Sequence, residues 1–432
     1  MSTWPECLTR RSVLGAAMAL PARVFASTGF ELRVGVVLPL GGSSRPEGTN
    51  NLSRLAEVAR EGAIFAEEEM NRNGLLFGNE VSVFVANAPG ARAAARAARR
   101  LVAVDAVQVL IGGFSEDEAL ALAEVAQETG TLFLNIAASS DRLRQSCRAQ
   151  TFHVEASAAM YLDALAGWFT RAGMRRWVIL HGDDAEANAQ LNRARKALGS
   201  RHWGAKIIAE RIVATRDLGD SLTAVSTQKV DAVLLLTDWY SQLEFLARYE
   251  AEGLQTPVAA FPEAATQTRS YYAAAMASAP MAGAGYRATL WEPSLDAYGA
   301  RELNARFAAR WGTPMDSTAW AAYQAIKIAF DAAQFGGSTD GHAMARWLSH
   351  PNTVLDLHKG IGVSFRPWDH QLRQSLYLVR LNSGAGTSLD FKSVKGRASL
   401  VGELPAIYMP GTDPVERLDQ LGDLRPRGRC EI

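Results

Sequence analysis

Long apolar segments, catalytic signatures and an excess of charge of one sign are all missing from most of this sequence. After the N-terminal region no run of 18 apolar residues occurs, so no membrane span is expected in the mature chain. The 45 basic and 45 acidic side chains give zero net charge. No global electric field therefore favours nucleic acid or anionic lipid as a partner.

Nucleotide-binding and hydrolase motifs are also absent. The loop after the first predicted strand lacks the Gly-Lys-Ser/Thr of a phosphate loop, and neither G-x-G-x-x-G nor G-x-S-x-G occurs. The seven histidines show no metal-ligand spacing. The best carboxylate pair, Asp183 and Asp184 beside His181, is interpreted as a helix cap. We therefore predict a protein that is not an enzyme and that needs neither a metal nor a cofactor.

The first residues have the pattern of an export signal. Arg10 and Arg11 precede a short apolar run, and a further Arg23 stands before a small-residue site that ends at Ala26. This pattern predicts a twin-arginine signal peptide over residues 1–26 and a periplasmic location. The alternative is a chance Arg-Arg pair before a helix.

Cysteine is scarce, with three residues in the chain. Cys7 lies before the apolar run of the signal, so the mature protein would keep Cys147 and Cys430 in an oxidising compartment. The two either form a disulfide or stay as free thiols, and the sequence leaves both open.

Residues 107–141 carry the strongest structural pattern of the chain. A short apolar run at 107–111 reads as a strand buried on both faces, and Ser115 then begins a helix as its N-cap with Glu118 in an S-x-x-E box. A second strand at 131–136 leads through small residues to a helix start at Asp141. Because two parallel strands end beside each other here, this edge of the sheet is the predicted ligand site.

The same alternation continues on both sides of this stretch and then restarts after residue 152. Further strands are predicted at 32–38 and 81–85, and in the second half at 177–181, 206–213, 232–236 and 258–261. Longer helices follow at 298–311 and 318–334, and the last fifty residues are rich in Gly, Pro and Asp. The expected fold is therefore α/β, with two doubly wound parallel-sheet lobes and an extended C-terminal tail.

Five segments, residues 33–40, 62–74, 95–101, 109–115 and 151–153, stand in a family's order and spacing. Together they resemble the type I periplasmic solute-binding proteins of branched-chain amino-acid-type ABC importers, over residues 31 to about 383. The resemblance implies two lobes joined by three crossovers that close on a ligand by hinge motion. It implies lobe 1 at 27–151 and 295–350, lobe 2 at 152–294 and 351–383, and a tail at 384–432.

Two longer strings, residues 152–165 and 356–374, resemble the subfamily found with pyrroloquinoline-quinone-dependent alcohol dehydrogenase systems. The implied function is to capture a small polar solute for an ABC transporter permease, with the alcohol dehydrogenase system as a further partner. The rival function is that of a secreted accessory or sensor protein that has lost ligand binding and acts on a dehydrogenase.

The resemblance also implies which residues contact the ligand. First-lobe contacts fall on Ser115, Ala138 and Ser139, and second-lobe contacts fall on Glu155, Trp239 or Tyr240, and Glu263. Five of these residues have a structural alternative: the serines as helix caps, the aromatic pair as core, and Glu263 as a solvated loop residue. The expected ligand has a carboxylate or hydroxyl end on the first lobe. An insertion at 49–60 and the lack of an aspartate after the lobe switch argue against an α-amino acid.

Overall fold

The structure, a computed structural model, describes seven stretches of the chain: residues 29–41, 51–201, 204–213, 218–280, 285–382, 391–405 and 411–422. The predicted signal peptide and Cys430 lie outside the described residues. No helix in the described stretches is both long and apolar enough to cross a membrane.

Strands and helices alternate along most of the described chain. The strands are β1 Glu31–Leu38, β2 Glu80–Asn87, β3 Val109–Gly112, β4 Leu132–Asn135, β5 Thr151–His153, β6 Arg176–His181, β7 Lys206–Ile212, β8 Ala232–Leu236, β9 Val258–Ala260, β10 Tyr286–Thr289, β11 Ser364–Phe365, β12 Leu372–Arg373, β13 Leu376–Leu381 and β14 Ala398–Leu404. The helices are α1 Asn51–Gly74, α2 Ala91–Asp105, α3 Glu116–Thr129, α4 Asp141–Gln145, α5 Ala158–Arg171, α6 Ala185–Lys196, α7 Gly219–Ser226, α8 Trp239–Ala251, α9 Arg269–Ser278, α10 Ala300–Trp311, α11 Ser317–Gly336, α12 Gly341–Leu348, α13 Phe391–Lys395 and α14 Pro414–Leu418.

Lobe 1 is built on a parallel sheet with the strand order β2-β1-β3-β4-β5. The strands β3 and β4 are buried along their whole length, as their short apolar runs predict. Val109 and Ile111 pack with residues of α1 and α11, whereas Leu110 packs with residues of α2 and α3. Helices therefore cover both faces, and the sheet is doubly wound.

The helices α1 and α11 of lobe 1 lie unusually close together. At Gly62 an added Cβ would stand 2.2 Å from the backbone oxygen of Ala319, so no side chain fits between the two backbones. Glycine at this position therefore sets the spacing of the two helices. Residues 51–60 of the predicted insertion form the first turns of α1.

Lobe 2 contains a seven-stranded sheet in the order β14-β13-β10-β9-β8-β6-β7. The strands from β10 to β7 pair in parallel, as expected, but β13 and β14 extend the sheet in antiparallel fashion. Two features differ from the predictions. The strand β10 was not predicted, and β14 lies within the segment predicted to be an extended tail. Pairing with β13, rather than a local apolar pattern, holds β14 in place, because three of its seven residues are exposed.

The first and third crossovers between the lobes pack against each other. The His153 N–H donates to the His370 carbonyl at 3.0 Å, and the Phe152 and His370 rings are stacked with centroids 4.3 Å apart. The Gln371 amide also donates to the Glu155 carbonyl at 2.9 Å. Residues 152–155 and 370–371 thus form one buried contact between the two crossovers.

The second crossover follows β10 and carries a buried ion cluster. Arg269 on α9 donates to Glu292 in the crossover at 2.6 Å, and its backbone N–H donates to Asp316 at the start of α11 at 3.0 Å. The guanidinium and both carboxylates are buried. Elements of both lobes are therefore fixed to the crossover by hydrogen-bonded charge.

Candidate functional site

A cleft of about 720 Å³ lies between the lobes, at the carboxyl edges of their sheets. Its first wall comes from the loops after β3 and β4 together with α4, and its second wall comes mainly from the first turns of α6. This is the position at which open parallel sheets bind ligands. The lining residues are Ser115, Glu116, Asp117, Ser139, Ser140, Asp141, Arg142, Gln145, Ala158, Ala185, Glu186, Ala189 and Gln190.

Ser115 lines the cleft and also caps α3, as the S-x-x-E pattern predicts. Its hydroxyl accepts from the Glu118 N–H at 3.3 Å. The Glu118 carboxylate, however, accepts from the N–H groups of Phe114 at 3.1 Å and Gly90 at 2.8 Å instead of closing the box on Ser115. The glutamate thereby ties the loop before α2 to the loop before α3. Ser115 itself stays exposed to the cleft.

Ser139 follows the carboxyl end of β4 and is not the N-cap of a helix. Its carbonyl accepts from the Ala158 N–H at 2.7 Å, which joins the first wall to the start of α5. Its hydroxyl lines the cleft, and in the described part of the chain it has no hydrogen-bond partner. Ala138 does not line the cleft, and its carbonyl accepts from the side chains of Asn135 and Arg144 at 2.8 Å each.

The second wall depends on the cap of α6. Asp184 accepts from the Ala187 N–H at 2.9 Å, which confirms the capping role predicted for the Asp183-Asp184 pair. Because the helix begins here, Glu186 and Gln190, which are one turn apart, point toward the first wall. The Gln190 amide nitrogen lies 3.5 Å from the Glu186 carboxylate, and its amide oxygen has no partner in the described residues.

The lining side chains carry more negative than positive charge. Four carboxylates, Glu116, Asp117, Asp141 and Glu186, stand against the guanidinium of Arg142, which binds Glu116 at 2.8 Å. Burial in the cleft raises the pKa of Glu186, and the neighbouring charges of Asp184 and Glu116 raise it further. This charge is opposite to what the expected carboxylate end of a ligand would require.

Glu263, Trp239 and Tyr240 lie at the same edge of lobe 2 but do not line this cleft. Glu263 follows β9 and is half-buried, and its pKa is raised well above its usual value by burial and by Glu186, Asp238 and Asp184. Trp239 is buried in the core of lobe 2, while Tyr240 is exposed and packs edge-on against it at 5.9 Å. Trp239 thus follows its core interpretation, and Glu263 extends the acidic wall.

Glu155 lies in the first crossover rather than in the cleft. It is 2% exposed and accepts from the Tyr161 hydroxyl at 2.6 Å, which in turn accepts from the Gln267 amide at 2.9 Å. Burial raises the pKa of Glu155 to about 8, although Tyr161, Arg144 and Lys359 act in the opposite direction. The structure therefore brings Ser115 and Ser139 together and places Glu155 in the first crossover.

Sequence reasoning missed the charged and amide residues of the cleft, above all Glu116, Glu186 and Gln190. A usable signal exists for α6, because residues in the first turn after a β-strand point to the same sheet edge as the loop itself. Glu186 is such a residue after β6, and Gln190 lies one turn further along α6. Among the described residues, no group of three metal-ligating side chains occurs.

A cysteine next to α4 forms a disulfide bond. Cys147, just after α4, is disulfide-bonded in the structure. Cys430 lies outside the described residues, so the pairing of Cys147 with Cys430 stays a prediction.

Comparison with solved structures identifies the same two-lobe fold. The branched-chain amino acid transporter substrate binding protein LivJ from Streptococcus pneumoniae, in complex with isoleucine, matches with a TM-score of 0.68 and 15% identity, covering 87% of this chain and 99% of its own. A branched chain amino acid ABC transporter periplasmic ligand-binding protein from Burkholderia xenovorans matches with a TM-score of 0.73 and 16% identity, covering 86% and 95%. An ABC transporter substrate-binding protein from Desulfitobacterium hafniense, complexed with Leu, matches with a TM-score of 0.69 and 18% identity, covering 86% and 100%.

At these identities the likeness establishes the fold alone. No curated protein matches the chain. The family model described as periplasmic binding protein, however, matches residues 31–386, which is most of the sequence. The matched family and the similar structures are binding proteins, in agreement with the prediction that the chain is not an enzyme. On this match, the chain belongs to the periplasmic binding protein family.

Proposed function

We propose that this protein captures a small polar solute in the interlobe cleft and delivers it to the permease of an ABC importer. The observation that carries the proposal is a cleft of about 720 Å³ whose lining includes a serine hydroxyl and an amide oxygen without partners. Polar groups that lose contact with water when the lobes close need a hydrogen-bonding partner, because leaving them unpaired is costly. A solute that enters the cleft supplies that partner.

The transport role rests on the family and on the similar structures. Two of them are named as an ABC transporter substrate-binding protein and an ABC transporter periplasmic ligand-binding protein. In this chain, Ser115 and Ser139 are the proposed first-lobe contacts. Glu186 and Gln190 replace the predicted Glu155 as second-lobe contacts, and Glu263 adds a further carboxyl group near Glu186.

We further propose that the ABC importer served by this protein is linked to a quinone-dependent alcohol oxidation system in the periplasm. The support is the resemblance of residues 152–165 and 356–374 to the subfamily found with such systems. Residues of these two strings contact each other, as the stacking of Phe152 on His370 illustrates. These two strings concern the connection between the lobes and do not identify the solute.

A thermal-shift screen of the mature protein tests solute binding. The panel contains amino acids, amines, small alcohols, carboxylates and the free quinone cofactor. A ligand that binds only the folded state at about 100 times its Kd stabilises the protein by about 2.7 kcal/mol, which raises the Tm by several degrees. If no compound shifts the Tm, the rival function of a non-binding accessory protein replaces this one.

Ser115→Ala separates a contact from a cap. Loss of the cap alone lowers the free energy of unfolding by about 0.5–2 kcal/mol and leaves the affinity of the folded protein unchanged. Loss of a ligand contact weakens binding by roughly 1–3 kcal/mol. Calorimetric titration of the folded variant with a compound from the screen distinguishes the two results.

A further inference from the structure

We propose that the interlobe cleft takes a small protonated amine that presents N–H donors and carries no carboxylate. The inference rests on the proposed function and specifies the chemical class of its solute. Two independent features support it: unpartnered acceptors from both lobes, and an excess of fixed negative charge around them.

The acceptors face the cleft from opposite walls. Ser139, 9% exposed, contributes its hydroxyl from lobe 1, and Gln190, 5% exposed, contributes its amide oxygen from lobe 2. Neither oxygen has a hydrogen-bond partner in the described part of the chain. Both oxygens can accept a hydrogen bond from a solute in the cleft, and a solute with N–H donors satisfies both.

The charge around these acceptors favours a cation. Glu116 and Glu186 stand on opposite walls, and Glu116 contributes to the raised pKa of Glu186. Closing the lobes would bring these carboxylates out of water, which is unfavourable unless a positive group enters with them. Arg142 cannot serve both walls, because its guanidinium is bound to Glu116 and is largely exposed.

The lining also distinguishes among cations and against anions. A carboxylate on the ligand would face four acidic side chains and find its only lining guanidinium already paired. A quaternary ammonium is usually held by aromatic faces, and none of the lining residues is aromatic. A bare metal ion would need a cluster of ligands, which the described residues do not provide. An ammonium with N–H donors fits both the acceptors and the charge.

A four-carbon series tests the inference by calorimetric titration of the mature protein at low salt. The probes are putrescine, aminobutanol, butanediol and γ-aminobutyrate, which share a chain length and differ in charge. We expect the two amines without a carboxylate to bind at least roughly tenfold more tightly than the diol or the amino acid. A tenfold rise in ionic strength should weaken their binding, because the attraction is between charges.

Three variants test whether the amine binds in this cleft. Glu186→Gln and Ser139→Ala should each weaken amine binding by roughly tenfold. Glu252→Gln is the matched control, since it removes the same charge from an exposed residue at the far end of α8. It should leave the affinity unchanged. Equal effects of Glu186→Gln and Glu252→Gln would overturn the assignment of the amine to this cleft.

The outcomes separate this inference from the proposed function. If the diol or the amino acid binds as tightly as the amines, or if the amines do not bind while another compound of the broad screen does, the inference is wrong and solute binding stands. If nothing in either panel binds, both are wrong.

Discussion

Replacing Glu155 by glutamine should remove a pH dependence from the stability of the folded protein. The carboxyl group lies in the first crossover, is 2% exposed and accepts a hydrogen bond from Tyr161 at 2.6 Å. Burial raises its pKa to about 8, from an ordinary value of 4.5. Arg144 and Lys359 are the nearest positive groups, and they offset only part of the burial effect. Glutamine keeps an oxygen that can accept from Tyr161 but cannot ionise.

The direction of this pH dependence follows from the number of protons that the folded and unfolded states bind. Between about pH 5 and pH 8 the folded protein holds a proton on Glu155 that the unfolded chain has lost, so the free energy of unfolding falls as the pH rises. Each unit of pKa difference corresponds to about 1.4 kcal/mol. The loss over this window is therefore about 3–5 kcal/mol for the wild type, and it is complete above the folded pKa.

Urea unfolding at pH 5 and at pH 8.5 measures the effect in both proteins. We expect wild type and Glu155→Gln to have similar stabilities at the lower pH, and the variant to be more stable at the higher pH. Other groups titrate in both proteins, so the difference between the two slopes is the quantity that counts. Glu252→Gln, at an exposed carboxylate, should keep the wild-type slope. Equal slopes for Glu155→Gln and wild type would refute a buried neutral Glu155.

Three further predictions concern packing, a buried ion pair and export. Gly62→Ala should lower the free energy of unfolding by about 1–3 kcal/mol or more in urea titration, because the new Cβ would stand 2.2 Å from the Ala319 oxygen, and an unchanged midpoint would contradict the close approach of α1 and α11. Asp163→Ala should cost about 3–5 kcal/mol in the same assay, since it removes the carboxylate that lies 2.6 Å from the buried guanidinium of Arg193 on α6, and a loss below 1 kcal/mol would argue against that pairing. Replacing Arg10 and Arg11 by lysine should retain the precursor in the cytoplasm, which fractionation checks, and normal periplasmic amounts would exclude a twin-arginine signal.

Much of the fold follows from short-range patterns in the sequence. The strand at 232–236 was predicted at its observed bounds, the cap at Ser115 was predicted from its S-x-x-E pattern, and a cap was predicted at the Asp183-Asp184 pair. Such patterns succeed because burial on both faces of a strand and the free N–H groups of a helix end impose local requirements. The segment Ala398–Leu404 was missed, because its strand depends on pairing with β13 rather than on an apolar pattern of its own.

The sequence by itself determined the α/β alternation and the position of two serines at the carboxyl edge of the lobe 1 sheet. Only the tertiary structure decided that Gln190 and Glu186 face Ser139, and that Glu155 lies in the first crossover instead. The reason is physical: a helix cap is set within one turn of chain, whereas opposing walls meet only when three crossovers fix the orientation of two lobes. The charge of the cleft is therefore a property of the folded chain, and it cannot be read from the balanced total of 45 acidic and 45 basic residues.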